Sequence, residues 1–97
     1  MRISLTLEAQ ADLDRIFQYY GADDPAMAKR TVARLLQSIS MLEQFPLLGR
    51  PGRVKETREL SVARMPYYVV YRFLDEYELE VFAIVHERRQ FPPSSEE

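Results

Sequence analysis

The chain has 97 residues, 46% of them hydrophobic and 29% charged, with a formal net charge of −2. That balance fits one ordinary globular core, excludes a disordered chain, and gives no overall pull toward nucleic acid. It holds no cysteine and one histidine. This excludes a disulfide framework, a thiolate nucleophile and a structural zinc site, so neither metal nor cofactor is expected.

The opening Met1-Arg2-Ile3-Ser4-Leu5 has no apolar core long enough for a signal peptide. No apolar run approaches the roughly 18 residues of a transmembrane helix, so the expected location is the cytoplasm, with no membrane partner. Ile3, Leu5 and Leu7 alternate with Arg2, Ser4 and Thr6, which predicts a short half-buried strand. Ala9, Leu13, Ile16, Phe17 and Tyr20 then follow helical spacing, with Asp12, Asp14, Arg15 and Gln18 on the other side and Gly21 as a stop.

Asp24-Pro25 starts a second helix, Asp24 as cap and Pro25 at the first helical position. Its expected apolar stripe is Ala28, Val32, Leu35, Leu36, Ile39 and Leu42. So short a link between two amphipathic helices predicts an antiparallel hairpin. Phe45-Pro46-Leu47-Leu48-Gly49-Arg50-Pro51-Gly52 reads as tight turns with no regular element.

Strand signals run from there onward. Leu60 and Val62 alternate with Glu59, Ser61 and Ala63, and aromatic and β-branched residues fill Tyr67 to Leu74 and Leu79 to Val85. Asp75-Glu76-Tyr77-Glu78 is the expected hairpin turn. In the middle strand Tyr67, Val69 and Tyr71 should meet the helices, while Tyr68, Val70 and Arg72 take the other face. The expected architecture is α+β: an N-terminal strand, then an antiparallel helical hairpin on one face of a small antiparallel sheet, in the order β-α-α-β-β-β. Residues 1–93 form the expected single domain, and 94–97 a frayed tail after Pro92-Pro93.

Charge is unevenly spread. Arg50, Arg53, Lys55, Arg58, Arg64 and Arg72 face only Glu56 and Glu59 between Gly49 and Phe73. Such a stretch is either a set of solvated charges or a basic face for an acidic partner or a phosphate backbone.

Ribonuclease chemistry would need a base, an acid and cations around the reacting phosphate. Arg58, Arg72, Arg88 and Arg89 supply cations, Glu56 or His86 a base, and Tyr68 or Tyr71 an acid. Their spacing does not show that they converge, and a lone His86 without an obvious partner reads first as a strand-end residue packed on the sheet. An RNA-reading sheet would want exposed aromatics on two neighbouring strands, and only Tyr67-Tyr68-Val69-Val70-Tyr71 offers them. There is no phosphate-cradling glycine loop, metal-spaced carboxylate pair or nucleophile elbow.

In order, Ala11 to Tyr20, Phe45 to Gly52, Thr57-Arg58-Glu59-Leu60-Ser61-Val62, Pro66 to Arg72 and Val85-His86-Glu87-Arg88-Arg89-Gln90-Phe91-Pro92 span nearly the whole chain. Together they resemble the landmarks of the ParE/RelE toxin superfamily. The resemblance implies a toxin of a type II toxin–antitoxin pair, with a partly disordered antitoxin that folds around it.

Within that superfamily the helical hairpin, the Arg-Glu-Leu strand opening and the His-x-Arg-Arg-Gln-Phe-Pro ending resemble the ParE branch. That branch poisons DNA gyrase and has no known hydrolytic site. The alternative is a RelE-like ribosome-dependent messenger endoribonuclease, with Arg58, Arg72 and His86 as its catalytic set. A degenerate antitoxin-binding module without toxicity, or a plain interaction module, stands beside both. The residues expected to meet antitoxin or target are Arg50, Arg53, Arg58, Arg72, Arg88, Arg89 and Phe91.

Overall fold

The structure, a computed structural model, describes residues 1–93; the expected frayed tail lies outside them. Its elements run β1 (Arg2–Leu5), α1 (Leu7–Gly21), α2 (Pro25–Ser40), a 3₁₀ turn (Met41–Glu43), β2 (Arg50–Pro51), β3 (Arg58–Ser61), β4 (Tyr67–Phe73) and β5 (Glu78–His86). Both helices begin where side-chain oxygens can accept free amides. The Thr6 hydroxyl accepts from Ala9 N at 3.0 Å, and Asp24 accepts from Met27 N at 3.2 Å ahead of Pro25. Gly21 closes α1, although Ala22 after it keeps right-handed helical angles rather than forming a left-handed cap.

The five strands lie in the order β1-β5-β4-β3-β2. All pairs are antiparallel except β1 with β5, where Arg2 pairs with Glu78 and Leu5 with Val81 in parallel. The sheet is thus not wholly antiparallel as expected, because the helical hairpin carries the chain back over the sheet between them. A second correction concerns Phe45 to Gly52. Arg50 and Pro51 form a two-residue edge strand, paired with Glu59 and Arg58. Proline is tolerated there because an edge leaves one side of the backbone unpaired.

Helix packing departs from the simple stripe. Asp12, assigned to the solvent side, is buried at 6% exposure, while Phe17 and Leu36, assigned to the core, stand 41% and 44% exposed. Thr31 is buried with Ala28, Leu35 and Ile39, and Val32 is only half-buried. The hydrophobic count along each helix gave the face to within one position but not its centre.

One extra residue in β5 explains how the sheet serves two cores. Val70 pairs with Ala83 but Tyr71 with Val81, leaving Phe82 as a bulge. The bulge reverses the alternation, so Leu79, Val81 and Ile84 all join Tyr67, Val69 and Tyr71 in the helix-facing core. Leu35 and Leu42 from the helical layer are fully buried there, each contributing about 1.5–3 kcal/mol by leaving water. On the opposite face Tyr68, Val70, Ala83 and Val85 form a second cluster, against which Phe82 and Phe91 pack. No helix among the described residues is long and apolar enough to cross a membrane.

Candidate interaction surface

The helix-free face of the sheet is organised by Glu59, which strand alternation places beside Val70 and Tyr68 rather than toward the helices. Its side chain is only 2% exposed. Arg53 grips the carboxylate with two parallel bonds, Nε to Oε2 at 2.9 Å and Nη2 to Oε1 at 3.0 Å, and adds its backbone N–H to Oε2 at 3.0 Å. Arg50 donates Nη2 to Oε1 at 3.2 Å. Burial works to raise the Glu59 pKa, but the bonds from Arg53 and Arg50 outweigh it and hold the carboxyl below its ordinary value. The same pairing raises Arg53. The Arg53 guanidinium also lies 4.9 Å from the centre of the Tyr68 ring. Burial pushes the Tyr68 phenol up, against the pull of Arg53.

Arg58 points to the other side of β3 and serves the proline–glycine loop. Its Nε and Nη2 donate to Gly49 O at 3.0 and 2.6 Å, and Nη2 also reaches Leu47 O at 3.3 Å. Tyr71, its pairing partner on β4, completes the clamp by donating to Pro46 O at 2.6 Å and accepting from Gly49 N at 3.0 Å. Beyond this loop a groove of about 440 Å³ opens between α2 and β3, lined by Met41, Leu48, Leu60 and Ala63 together with Arg50 and its partner Glu59. Exposed Leu36, Phe45 and Leu47 add apolar surface nearby in the chain.

Arg72 lies at the far end of β4. Its Nε donates to Glu80 Oε1 at 3.2 Å and its guanidinium sits 5.8 Å from the Phe82 ring centre. At the opposite end His86 meets Tyr67 edge-on, with ring centroids 5.3 Å apart, and its Nδ1 accepts from Arg88 N at 3.1 Å. Tyr67 in turn is raised by burial and by its bond with the Tyr20 hydroxyl at 3.4 Å. Arg88 and Arg89 are exposed. Phe91 turns back onto the sheet, its ring 6.4 Å from both Tyr68 and Phe82.

Arg50 and Arg53 are therefore brought together, with Tyr68, while Arg58, paired with Tyr71, turns to the opposite face of the sheet and Arg72 engages Glu80. The trio Arg58, Arg72 and His86 does not converge. Arg72 pairs with Glu80 and His86 with Tyr67, five positions apart along β4, or roughly 17 Å at strand spacing. Tyr71, a candidate acid, has both its hydroxyl roles filled by the loop.

Sequence reading missed Glu59 as the organiser, although an acidic residue at a strand position among three arginines was its signal. It also missed Phe82 as a second-strand aromatic on the helix-free face, where Phe91 bridges it to Tyr68. Among the described residues no group of His, Cys, Asp and Glu could hold a metal ion.

The helical hairpin on a five-stranded, mostly antiparallel sheet has solved counterparts among toxin–antitoxin proteins. A chain of the chromosomal ParDE toxin–antitoxin system of P. aeruginosa superposes with a TM-score of 0.81 at 28% identity, covering 89% of this chain and 95% of that one. A chain of the RelBE2 toxin–antitoxin complex of Mycobacterium tuberculosis shares the fold, with a TM-score of 0.58 at 22% identity over 88% of this chain and 95% of that one. The family described as the ParE toxin of type II toxin–antitoxin system, parDE, matches residues 3–91. The Sinorhizobium fredii protein named "Putative toxin Y4kP" is 42% identical over 91 residues, 94% of this chain and 93% of that protein. The chain belongs to the ParE family of type II toxin–antitoxin toxins.

Proposed function

We propose that this toxin arrests growth by poisoning DNA gyrase and is neutralised by a cognate antitoxin, which places its action in the cytoplasm. The observation that carries the gyrase reading is the separation of Arg58, Arg72 and His86 in a chain of the ParE family. Phosphodiester cleavage needs acid, base and cation within hydrogen-bond reach of one phosphate, and these three lie on different faces and ends of the sheet. Arg58 holds a loop and His86 packs on Tyr67, which are structural tasks.

The antitoxin reading rests on surface chemistry. The groove between α2 and β3 is mostly apolar, with Arg50 in its lining, and suits an amphipathic segment that folds on binding, apolar side inward and an acidic residue toward the arginine. The solved relative at higher identity is a ParDE toxin–antitoxin system, in keeping with such a partner. Arg50, Arg53, Arg58 and Arg72 would then serve antitoxin and target alike, with Arg88, Arg89 and Phe91 of the tail on the target side. Neutralisation would be partly occlusion.

Expressing the chain alone and with its antitoxin tests the pairing. Growth arrest alone, relieved by the antitoxin, is the expected result. Normal growth with abundant folded chain would move the non-toxic reading forward.

A further inference from the structure

The geometry points to a phosphate-binding pocket on the helix-free face of the sheet, built by Tyr68, Arg53 and Arg50 and set in place by Glu59. Tyr68, Arg53 and Arg50 line a hollow of about 260 Å³, with Ser61 and Glu87 among its other walls. Tyr68 is 5% exposed, and its hydroxyl is buried without a hydrogen-bond partner among the described residues. Leaving such a group unpaired costs about 1–3 kcal/mol, so a hydroxyl held this way is suited to donate to an incoming acceptor.

The arginines are suited to the same ligand. A guanidinium carries five N–H donors. Arg53 spends its Nε and Nη2 on Glu59, and Arg50 its Nη2, so among the described residues the Nη1 group of each is uncommitted. Glu59 thereby orients both cations without satisfying them. Glu87 adds a second carboxylate to the hollow, but Arg89 is near enough to act on the Tyr68 phenol, so three arginines stand against two carboxylates.

Both guanidiniums are accessible, with side-chain exposures of 65% for Arg50 and 44% for Arg53. Donors arriving from three separate side chains match the spread acceptors of a tetrahedral phosphate better than the planar pair of a carboxylate. The phosphate is either free or carried on a nucleotide strand, and the pocket is independent of whether gyrase is the target.

Titrating inorganic phosphate, and separately a single-stranded oligothymidylate, into the isotopically labelled full chain tests this by NMR at the Arg53 Nε–H. A saturable shift is expected, weakened about tenfold or more in Tyr68→Phe, which removes one charge-assisted bond but keeps the ring. Arg50→Gln, at an exposed position, is expected to weaken it as well and provides a second variant should Tyr68→Phe fold poorly. Response to phosphate alone identifies a free group; tighter, salt-sensitive response to the oligonucleotide identifies a strand. No shift with either, undiminished binding by both variants, or a shift only with a glutamate-rich peptide overturns the proposal.

Discussion

The Asp12 carboxylate accepts the backbone N–H of Ile84 at 2.9 Å, joining the middle of α1 to the bulged stretch of β5 across 72 positions of sequence. The bulge reverses strand alternation just before Ile84, and a buried helix carboxylate takes up that amide. The other carboxylate oxygen is paired with Arg15. Asp12→Ala should therefore cost about 1–3 kcal/mol, the penalty of an unpaired buried amide. Asp12→Asn, whose side-chain oxygen can still accept, should cost less. Urea unfolding of the two variants measures the difference.

Glu59 gives the fold a pH dependence of known sign. Its folded pKa lies below the ordinary 4.5, so its contribution is complete above that value and is lost as pH falls through the folded pKa. With both arginine partners partly exposed, Glu59→Gln should cost about 1–2 kcal/mol at neutral pH. The melting temperature of the variant should also fall less steeply than that of the parent between about pH 6 and pH 3. Parallel melting curves across that range would remove Glu59 from the account.

Gly49 is needed for close approach. A Cβ there would stand 2.8 Å from Tyr71 Cε1 and 2.9 Å from Glu59 O, and both neighbours belong to the sheet. Gly49→Ala should destabilise by about 1–3 kcal/mol through overpacking. Tyr71→Phe should cost about 1–2 kcal/mol by leaving the Gly49 amide unpaired. Faster hydrogen exchange at the Gly49 amide in Tyr71→Phe is the local readout.

These sites show what the sequence made legible and what it hid. The second helix start was readable because Asp24-Pro25 is local capping chemistry, whereas the first was not, since Thr6 and Leu7 continue the strand alternation although Thr6 caps α1 and Leu7 opens it. The face of β4 was readable too, since Tyr67, Val69 and Tyr71 keep strict alternation. Asp12 was read as a surface residue because a helix pattern scores polarity, and the amide it satisfies lies on a strand far along the chain. The short strand at Arg50 and Pro51 was hidden by its own prolines and glycines, since its pairing is supplied by Arg58 and Glu59. For the arginines, composition revealed a basic stretch, but only the fold revealed that Glu59 binds two of them while Arg58 clamps a loop.

The tail links fold to activity. Phe91 is half-buried on Tyr68 and Phe82, so truncation after Arg89 should cost about 1 kcal/mol in stability and weaken growth arrest. Phe91→Ala in the full chain should reproduce most of both effects, as read by thermal melting and by growth curves. Full toxicity in both variants would show that the tail is dispensable.

The most direct test of the central claim is to run two assays on the purified toxin: DNA supercoiling by gyrase, and cleavage of a ribosome-bound messenger. Loss of supercoiling or accumulation of cleaved DNA, with the messenger intact, is the predicted result. Messenger cleavage with supercoiling unaffected would contradict it, and would mean that Arg58, Arg72 and His86 come together on the ribosome in a way their separation here opposes.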